Sequence, residues 1–310
     1  MKIKIQLPDG FLDEEVRNGY TISCEMKKVW AVELDLLCEF DRICKEHHIS
    51  YIADGGTLLG AIRHNGFIPW DDDIDVGMLR SEYEKLNAIA STEFHDPYFW
   101  QTEETDPGSL RGHAQLRNSD TTGILYCEQD RRIPFNQGIF IDVFQFDDSI
   151  TDQKKLEEQF RNIVKYKQMA CFEADLTIRY SYDNLKQHST FKHRLKMNVL
   201  HTCLKLFHIN LDYKVPYQKF LDECIKFKGS NFGKVADYVL PITIVSGSRD
   251  KNCFLKTVEH EFEFIKIPVP VDYDSALKQT FGSDYMVMKR NNSNHGGVLF
   301  DTEVSYKDYL

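Results

Sequence analysis

The stretch DGGTLLGAIRHNGFIPWDDDIDVGM, residues 54–78, decides how the rest of the chain is read. It follows ISYIA (49–53), a short apolar run suited to a buried strand, and opens on the turn Asp54-Gly55-Gly56-Thr57. LLGAIRH then resumes helical spacing. A glycine turn between a strand and a helix leaves the first N–H groups of the helix without backbone partners, at the positive end of its dipole, where a phosphate is held well. Gly55, Gly56 and Thr57 are therefore candidate phosphate-binding residues. Pro69 forces its predecessor out of the helical region, so Phe67 to Trp70 should be extended. Behind it, Asp71, Asp72, Asp73 and Asp75 put four carboxylates into five positions. A strand from Asp73 to Leu79, with its alternation carried back through the acidic run, sets Asp71, Asp73 and Asp75 on one side, points Ile74 and Val76 to the core, and aims Asp72 away from the other three. Like charges this close repel in a partly buried site, so a cation is expected among them. Same-face carboxylates ~6–7 Å apart along a strand can converge on metal ions ~3.5–4 Å apart, the arrangement used in phosphoryl chemistry.

Two other readings of the acidic run compete. A solvated acidic turn would sit in a polar loop, whereas this run lies between apolar Phe67–Trp70 and Ile74–Leu79. A calcium loop starting at Asp71 would place Asp73, Asp75 and Glu82 at the third, fifth and twelfth positions, but its sixth, which needs glycine, is Val76, and Pro69 stands where a helix should be.

Outward from this stretch, Ser23 opens a helical pattern to about His47, with Met26, Val29, Trp30, Leu36, Leu37, Phe40, Ile43 and Cys44 as its apolar stripe. The start, MKIKIQLPDG, reads as a short strand ended by a turn. Ser81 and Glu84 form a capping-box pair for a helix to about Ala90. YFWQ, HAQLR and GILY suggest strands between Tyr98 and Tyr126. GIFIDVFQF (138–146) is the strongest strand pattern in the chain, rich in β-branched and aromatic residues. Asp142 sits alone on it; a buried carboxylate needs a partner, either a metal ion or hydrogen-bond donors of the protein. From Thr151 three long helical patterns follow (about 152–174, 190–208 and 215–229), then a short strand near Tyr238–Ile242, the run IKIPVPVDYD, and a last helix ended by Gly282.

Charge divides the chain more clearly than any linker. Residues 151–235 hold 16 Lys and Arg against 9 Asp and Glu, while the remainder holds 22 against 39. These observations predict an α/β (α+β) protein: a mixed sheet with flanking helices over residues 1–150, a basic helical insert over 151–235, and a segment 236–310 that completes the core. Within the insert, Lys192, His193, Arg194, Lys196, Lys205 and His208 flank Leu195, Val199, Leu200, Leu204 and Phe207. Such a basic amphipathic helix suits an anionic membrane surface or a phosphate-bearing acceptor, unless its apolar side packs on the domain.

Composition excludes several classes. With 42% hydrophobic and 13% aromatic residues the chain can build a core and is not disordered. A net charge of −10 argues against nucleic acid as a partner. No run reaches the ~20 apolar residues of a membrane span and none resembles a signal peptide, so a cytoplasmic protein is expected. The eight cysteines, at 24, 38, 44, 127, 171, 203, 224 and 253, form no C-x-x-C pair and read as reduced thiols.

Strand, Gly-Gly turn, helix, then Asp-x-Asp on a strand and one Asp on a later strand is the order of the nucleotidyltransferase fold. Residues 54–78 closely resemble the signature of the LicD family, bacterial phosphocholine transferases whose animal relatives include fukutin and fukutin-related protein. LRNSDTT (116–122), GIFIDVFQFD (138–147) and VPVDYDSALKQTFGSDYM (269–286), followed by Arg290 and His295, are similar to that family as well. Met288-Lys289 departs from it, since prolines are usual there. The resemblance implies a phosphotransferase moving a phosphorylated group, phosphocholine or a polyol phosphate, from a CDP-linked donor to a sugar hydroxyl of a surface glycan or glycolipid. Asp73, Asp75 and Asp142 would be its catalytic residues and would hold Mg²⁺ or Mn²⁺, with Asp71 as a further ligand or the holder of a bound water. Arg63, His64, Arg117, Arg290 and His295 would join the glycine turn in binding the nucleotide and its phosphates. The competing functions are a nucleotidyltransferase that passes on NMP and releases pyrophosphate, and a non-catalytic calcium or glycan-binding module.

Overall fold

The computed structural model describes residues 1–126, 128, 135–179, 191–207, 209–239, 248–289 and 297–309. Two short strands, β1 (Glu15–Arg17) and β2 (Tyr20–Ile22), form a hairpin whose turn residues Asn18 and Gly19 both have positive φ. Residues 1–14 form no strand: the amides of Lys4 and Ile5 donate to Asp35 Oδ1 at 2.7 and 2.9 Å instead of to a neighbouring chain. Helix α1 (Cys24–Glu46) starts where the sequence predicts, with Ser23 accepting from the Met26 amide. Its middle, Trp30 to Leu37, is buried at every position, so it runs through the core and not along the surface.

Strand β3 (Ile52–Ala53) leads into α2 (Gly55–His64), and β4 (Asp75–Leu79) leads into α3 (Arg80–Glu93). Ser81 does not cap α3; its N-cap position is Leu79, which makes no side-chain cap bond, because β4 runs directly into the helix. Then come β5 (Tyr98–Gln101), β6 (Ala114–Asn118), β7 (Thr122–Leu125) and the long β8 (Ile139–Ser149).

Helix α4 (Gln153–Ala174), continued by a π-helical turn (Asp175–Arg179), α5 (Phe191–Leu206) and α6 (Lys214–Cys224) follow in the stretch 151–235. The chain returns through β9 (Lys234–Ala236), β10 (Arg249–Asp250), α7 (Asn252–Leu255), β11 (Thr257–Phe262), β12 (Ile265–Pro270), α8 (Tyr273–Phe281) and β13 (Val298–Asp301). The late strand expected at 238–242 is found four residues earlier as β9, and residues 240–242 lie outside the described ones.

The central sheet is mixed and has the order β10-β9-β8-β4-β3, with β6 also on β8 and β5 on β6. Among the described residues only β4 and β8 pair in parallel, in the register Asp75↔Asp142 to Leu79↔Phe146. Just past the far end of that register, Arg80 and Asp147 form a bidentate ion pair at 2.7 and 2.8 Å. Trp30, Leu37, Val76, Met78, Leu116, Ile141 and Val143 share one core with Phe262, Ile267, Val269 and Leu277 from the C-terminal segment. A second core of Ile163, Ala170, Tyr217, Phe220 and Cys224 fastens α4 and α6 to Leu110 and Val239.

Candidate active site

The glycine turn and the acidic run meet at the N-terminal end of α2. A Cβ placed on Gly56 would lie 2.7 Å from Asp71 Oδ2, and one on Gly55, where φ is +50°, would lie 3.0 Å from Asp75 Oδ2. Both glycines are there because carboxylates occupy the space a side chain would need. The positive end of the helix dipole thus faces two of the four aspartates. Thr57 is buried and its hydroxyl accepts from the Asp75 amide at 2.8 Å, so it holds the strand in place and is not displayed to a ligand. Asp54 N donates to Asp75 O at 3.0 Å, and the Asp54 carboxylate forms a buried ion pair with Arg249.

The acidic run is not the uniform strand that alternation assumes. The ladder begins at Asp75, and Asp71 to Ile74 approach it without strand pairing. Burial still alternates along the run, with Asp72 and Ile74 more buried than Asp71, Asp73 and Asp75, yet Asp71, Asp72 and Asp73 each bring a carboxylate oxygen within 4.8 Å of the other two, a grouping able to hold a cation. Asp72 therefore belongs with its neighbours, contrary to the expectation that it points away. The approach is fixed from α1: Trp30 stacks on Phe67 at 4.4 Å between ring centres and donates from Nε1 to Asp71 O at 3.1 Å. A helix does not precede the run and a sheet strand follows it, so the calcium-loop reading fails on geometry.

Asp75 and Asp142 stand directly opposite on β4 and β8, and the Asp142 amide donates to Ile74 O at 2.9 Å. Asp142 has partners of its own: Oδ1 lies 3.0 Å from His113 Nε2 and accepts from Gln115 Nε2 at 2.6 Å. Burial raises its pKa, but His113 and Gln115 more than offset this and hold it below the usual carboxylate range. Asp75 is pushed well up, by burial first and then by Asp73, Asp142, Asp54 and Asp71.

Sequence reading missed Glu33. It projects from α1, is 1% exposed, and its Oε2 has no hydrogen-bond partner among the described residues. Burial and then Asp73, Asp72, Asp71 and Asp75 raise its pKa well above the ordinary 4.5. Nearby Asp35, equally buried, accepts from two backbone amides and the Tyr98 hydroxyl and is fully accounted for. A glutamate inside the apolar run AVELDLL was the available signal. His113 and Gln115 were also missed, although the alternation of HAQLR puts them on the same side of β6 as Arg117.

Three expected phosphate contacts lie elsewhere. Arg117 is 0% exposed, with its nitrogens donating to Gln101 Oε1, Gly138 O and Gln115 Oε1, and it reaches no ligand surface. Arg63 and His64 lie at the other end of α2, about 13 Å along its axis from the glycines. Arg63 donates to His64 Nε2 and Tyr285 O, and the other His64 ring nitrogen sits 3.0 Å from Asn18 Nδ2. Burial, together with Arg63 and Arg17, lowers the His64 pKa to about 4, so that ring is neutral at physiological pH. Arg290 and His295 lie outside the described residues.

Comparison with known proteins agrees with this architecture. Residues 48–182 match the family described as LicD/FKTN/FKRP, nucleotidyltransferase domain. The lipopolysaccharide cholinephosphotransferase LicD of Haemophilus influenzae is 38% identical over 127 residues, 39% of this chain and 46% of that protein. An uncharacterized protein of Rickettsia prowazekii is 38% identical over 77 residues, 25% of this chain and 27% of its own length. Human ribitol 5-phosphate transferase FKRP is 38% identical over 45 residues, 14% of this chain and 9% of that protein. The matched stretches span less than half the length of each of these relatives.

Proposed function

Because residues 48–182 form a LicD-family nucleotidyltransferase domain, we propose that this protein transfers a phosphorylated group from a CDP-linked donor to a sugar hydroxyl of a glycan or glycolipid, with release of CMP. The observation that carries the reading is the grouping of Asp71, Asp72 and Asp73, with Asp71 and Asp75 set against the N-terminal end of α2 and Asp142 opposite Asp75. The names of the matched relatives, a cholinephosphotransferase and a ribitol 5-phosphate transferase, support the reaction class.

The carboxylate grouping, the adjoining Asp75 and the buried, unpartnered Glu33 oxygen fit a divalent cation. Asp71, Asp73 and Asp75, with Asp72 beside them, would hold Mg²⁺ or Mn²⁺, which when bound supplies charge compensation for the diphosphate and polarises phosphorus. Gly55 and Gly56 let the Asp71 and Asp75 carboxylates close against the start of α2, where its dipole favours negative charge. The acceptor oxygen bonds to phosphorus, the bond from phosphorus to the CMP oxygen breaks, and a carboxylate of the site takes the hydroxyl proton. Asp142, ionised and oriented by His113 and Gln115, keeps negative charge beside Asp75 and so favours cation binding. The same reading puts the protein on the cytoplasmic side.

The donor group is left open between choline, ethanolamine, glycerol and ribitol phosphates. A choline group would be held by an aromatic cage, and Trp100 is not available for one, because it stacks on Phe94 in the core and is 3% exposed. Incubation with CDP-choline, CDP-ribitol, CDP-glycerol and CDP-ethanolamine in Mg²⁺ should raise the melting temperature with one of them, and with an acceptor should release CMP. Release of pyrophosphate from CTP would instead establish NMP transfer.

A further inference from the structure

Helix α5 carries two apolar sides. One, formed by Met197, Leu200 and Leu204, packs against Leu176 and Leu211. The other is open: Leu195 is 53% exposed, Val199 54%, Leu206 70%, and just beyond the helix Phe207 is 72% and Ile209 50% exposed. At 100° per residue, Leu195, Val199 and Leu206 fall within about 40° of one another, a single stripe along the helix. Exposed Lys196 and Lys205 flank that stripe on its two sides, and exposed Lys192 lies at its start. Among the described residues, nine of the twenty exposed large hydrophobic side chains fall between Met169 and Val215. Five of these lie on α5 and the turn after it, and exposed side chains of that size gathered there mark a contact surface.

Charge identifies what the surface meets. Residues 184–211 contain five Lys and Arg and no Asp or Glu, in a chain whose net charge is −10. A second copy of this chain would present the same lysines to each other, and an apolar protein partner would not require them. Apolar residues along one side with lysines on both margins suit a helix lying in the plane of a bilayer. No described helix is long and apolar enough to cross a membrane, so the contact is with its surface.

We propose that α5 and the turn after it dock on a bilayer with anionic headgroups, with Leu195, Val199, Leu206, Phe207 and Ile209 at the acyl boundary and Lys192, Lys196 and Lys205 on headgroup phosphates. The proposal is independent of the transferase reading, since it concerns binding alone. On the transferase reading, such docking would hold the site next to an acceptor anchored in lipid.

Sedimentation of the full chain with vesicles tests it. With three lysines each worth several-fold at an anionic surface, binding to phosphatidylglycerol–phosphatidylcholine vesicles should exceed binding to pure phosphatidylcholine by at least about tenfold. Raising ionic strength should erode that preference. Lys196→Glu with Lys205→Glu, and separately Leu206→Ser with Phe207→Ser, should each reduce binding to the anionic vesicles by about tenfold or more, with unchanged melting temperature. Should the serine variant fold poorly, the surface-charge variant alone decides. Equal binding to both vesicle types, binding to neither, or a concentration-dependent dimer abolished by the serine variant would overturn the proposal.

Discussion

Asp75 and Asp142 occupy the same register position on the two parallel strands of the sheet, yet their carboxyl groups are pushed in opposite directions. Asp142 has His113 and Gln115 as donors; Asp75 faces burial and three or more neighbouring carboxylates. Asp75→Asn should therefore stabilise the metal-free protein while removing transfer activity, by on the order of 10³-fold if a ligand worth several kcal/mol is lost. Chemical denaturation in EDTA and a CMP-release assay measure the two effects. A destabilised variant would mean that the carboxylate is structural.

Asp72 now belongs to the carboxylate group, so Asp72→Asn should not be silent. We expect Mg²⁺ or Mn²⁺ affinity to fall between about 10- and 100-fold, as for a residue that ligates or orients a ligand. Titration calorimetry reads this directly. An affinity equal to that of the unsubstituted protein would return Asp72 to the bystander role that strand alternation gave it.

The pH dependence follows from Glu33 and Asp75, both raised above their ordinary 4.5 and 3.8. Below those values folded and unfolded chains are both protonated and no penalty exists. Above them the unfolded chain ionises while the folded one resists, so the metal-free protein should lose stability as pH rises from about 4 toward neutrality. Added Mg²⁺ should oppose that loss, with a stabilisation that grows with pH and proton release on binding. Glu33→Gln should flatten the slope. A metal-free stability that rises through this window would show that other groups dominate.

Arg117 provides a discrimination of a different kind. Its guanidinium fixes Gln115, which in turn donates to Asp142. Arg117→Lys should cost about 1–3 kcal/mol through buried acceptors left unpaired, and should lower kcat without a selective rise in donor KM. A raised donor KM at unchanged stability would restore the phosphate-binding role expected from sequence.

Arg249→Met leaves Asp54 buried without its cation at the start of α2. A loss of about 3–5 kcal/mol is expected in urea unfolding, with partial recovery when Asp54→Asn is added. Additive losses would show that the pair is not coupled.

Much of the fold was legible because periodicity and capping are local. Ser23, the apolar run of α1 and the β-branched pattern of β8 lie within a few residues of where they were expected. The hairpin at Asn18-Gly19 was equally legible and was overlooked, although Asn-Gly is the strongest short hairpin signal. The site was legible as a list of aspartates but not as a geometry. Alternation sorts side chains by face but does not say how near neighbouring carboxylate oxygens come, and Asp72 groups with Asp71 and Asp73 although it is the more buried of the three. Glu33 and the burial of Arg117 depend on which elements pack together, and no local pattern encodes that.

The parallel pair β4–β8 is repulsive at one end and attractive at the other. Asp75 opposes Asp142 where the pairing begins, and Arg80 clasps Asp147, 67 positions away in sequence, where it ends. A shift of either strand by one position would turn the aspartates into the core and part the ion pair. The clasp therefore acts as a register lock that lets a locally frustrated stretch exist in an otherwise consistent sheet. Loosening Arg80 or Asp147 should then show itself as slow, heterogeneous refolding before any change in the chemistry at the opposite end.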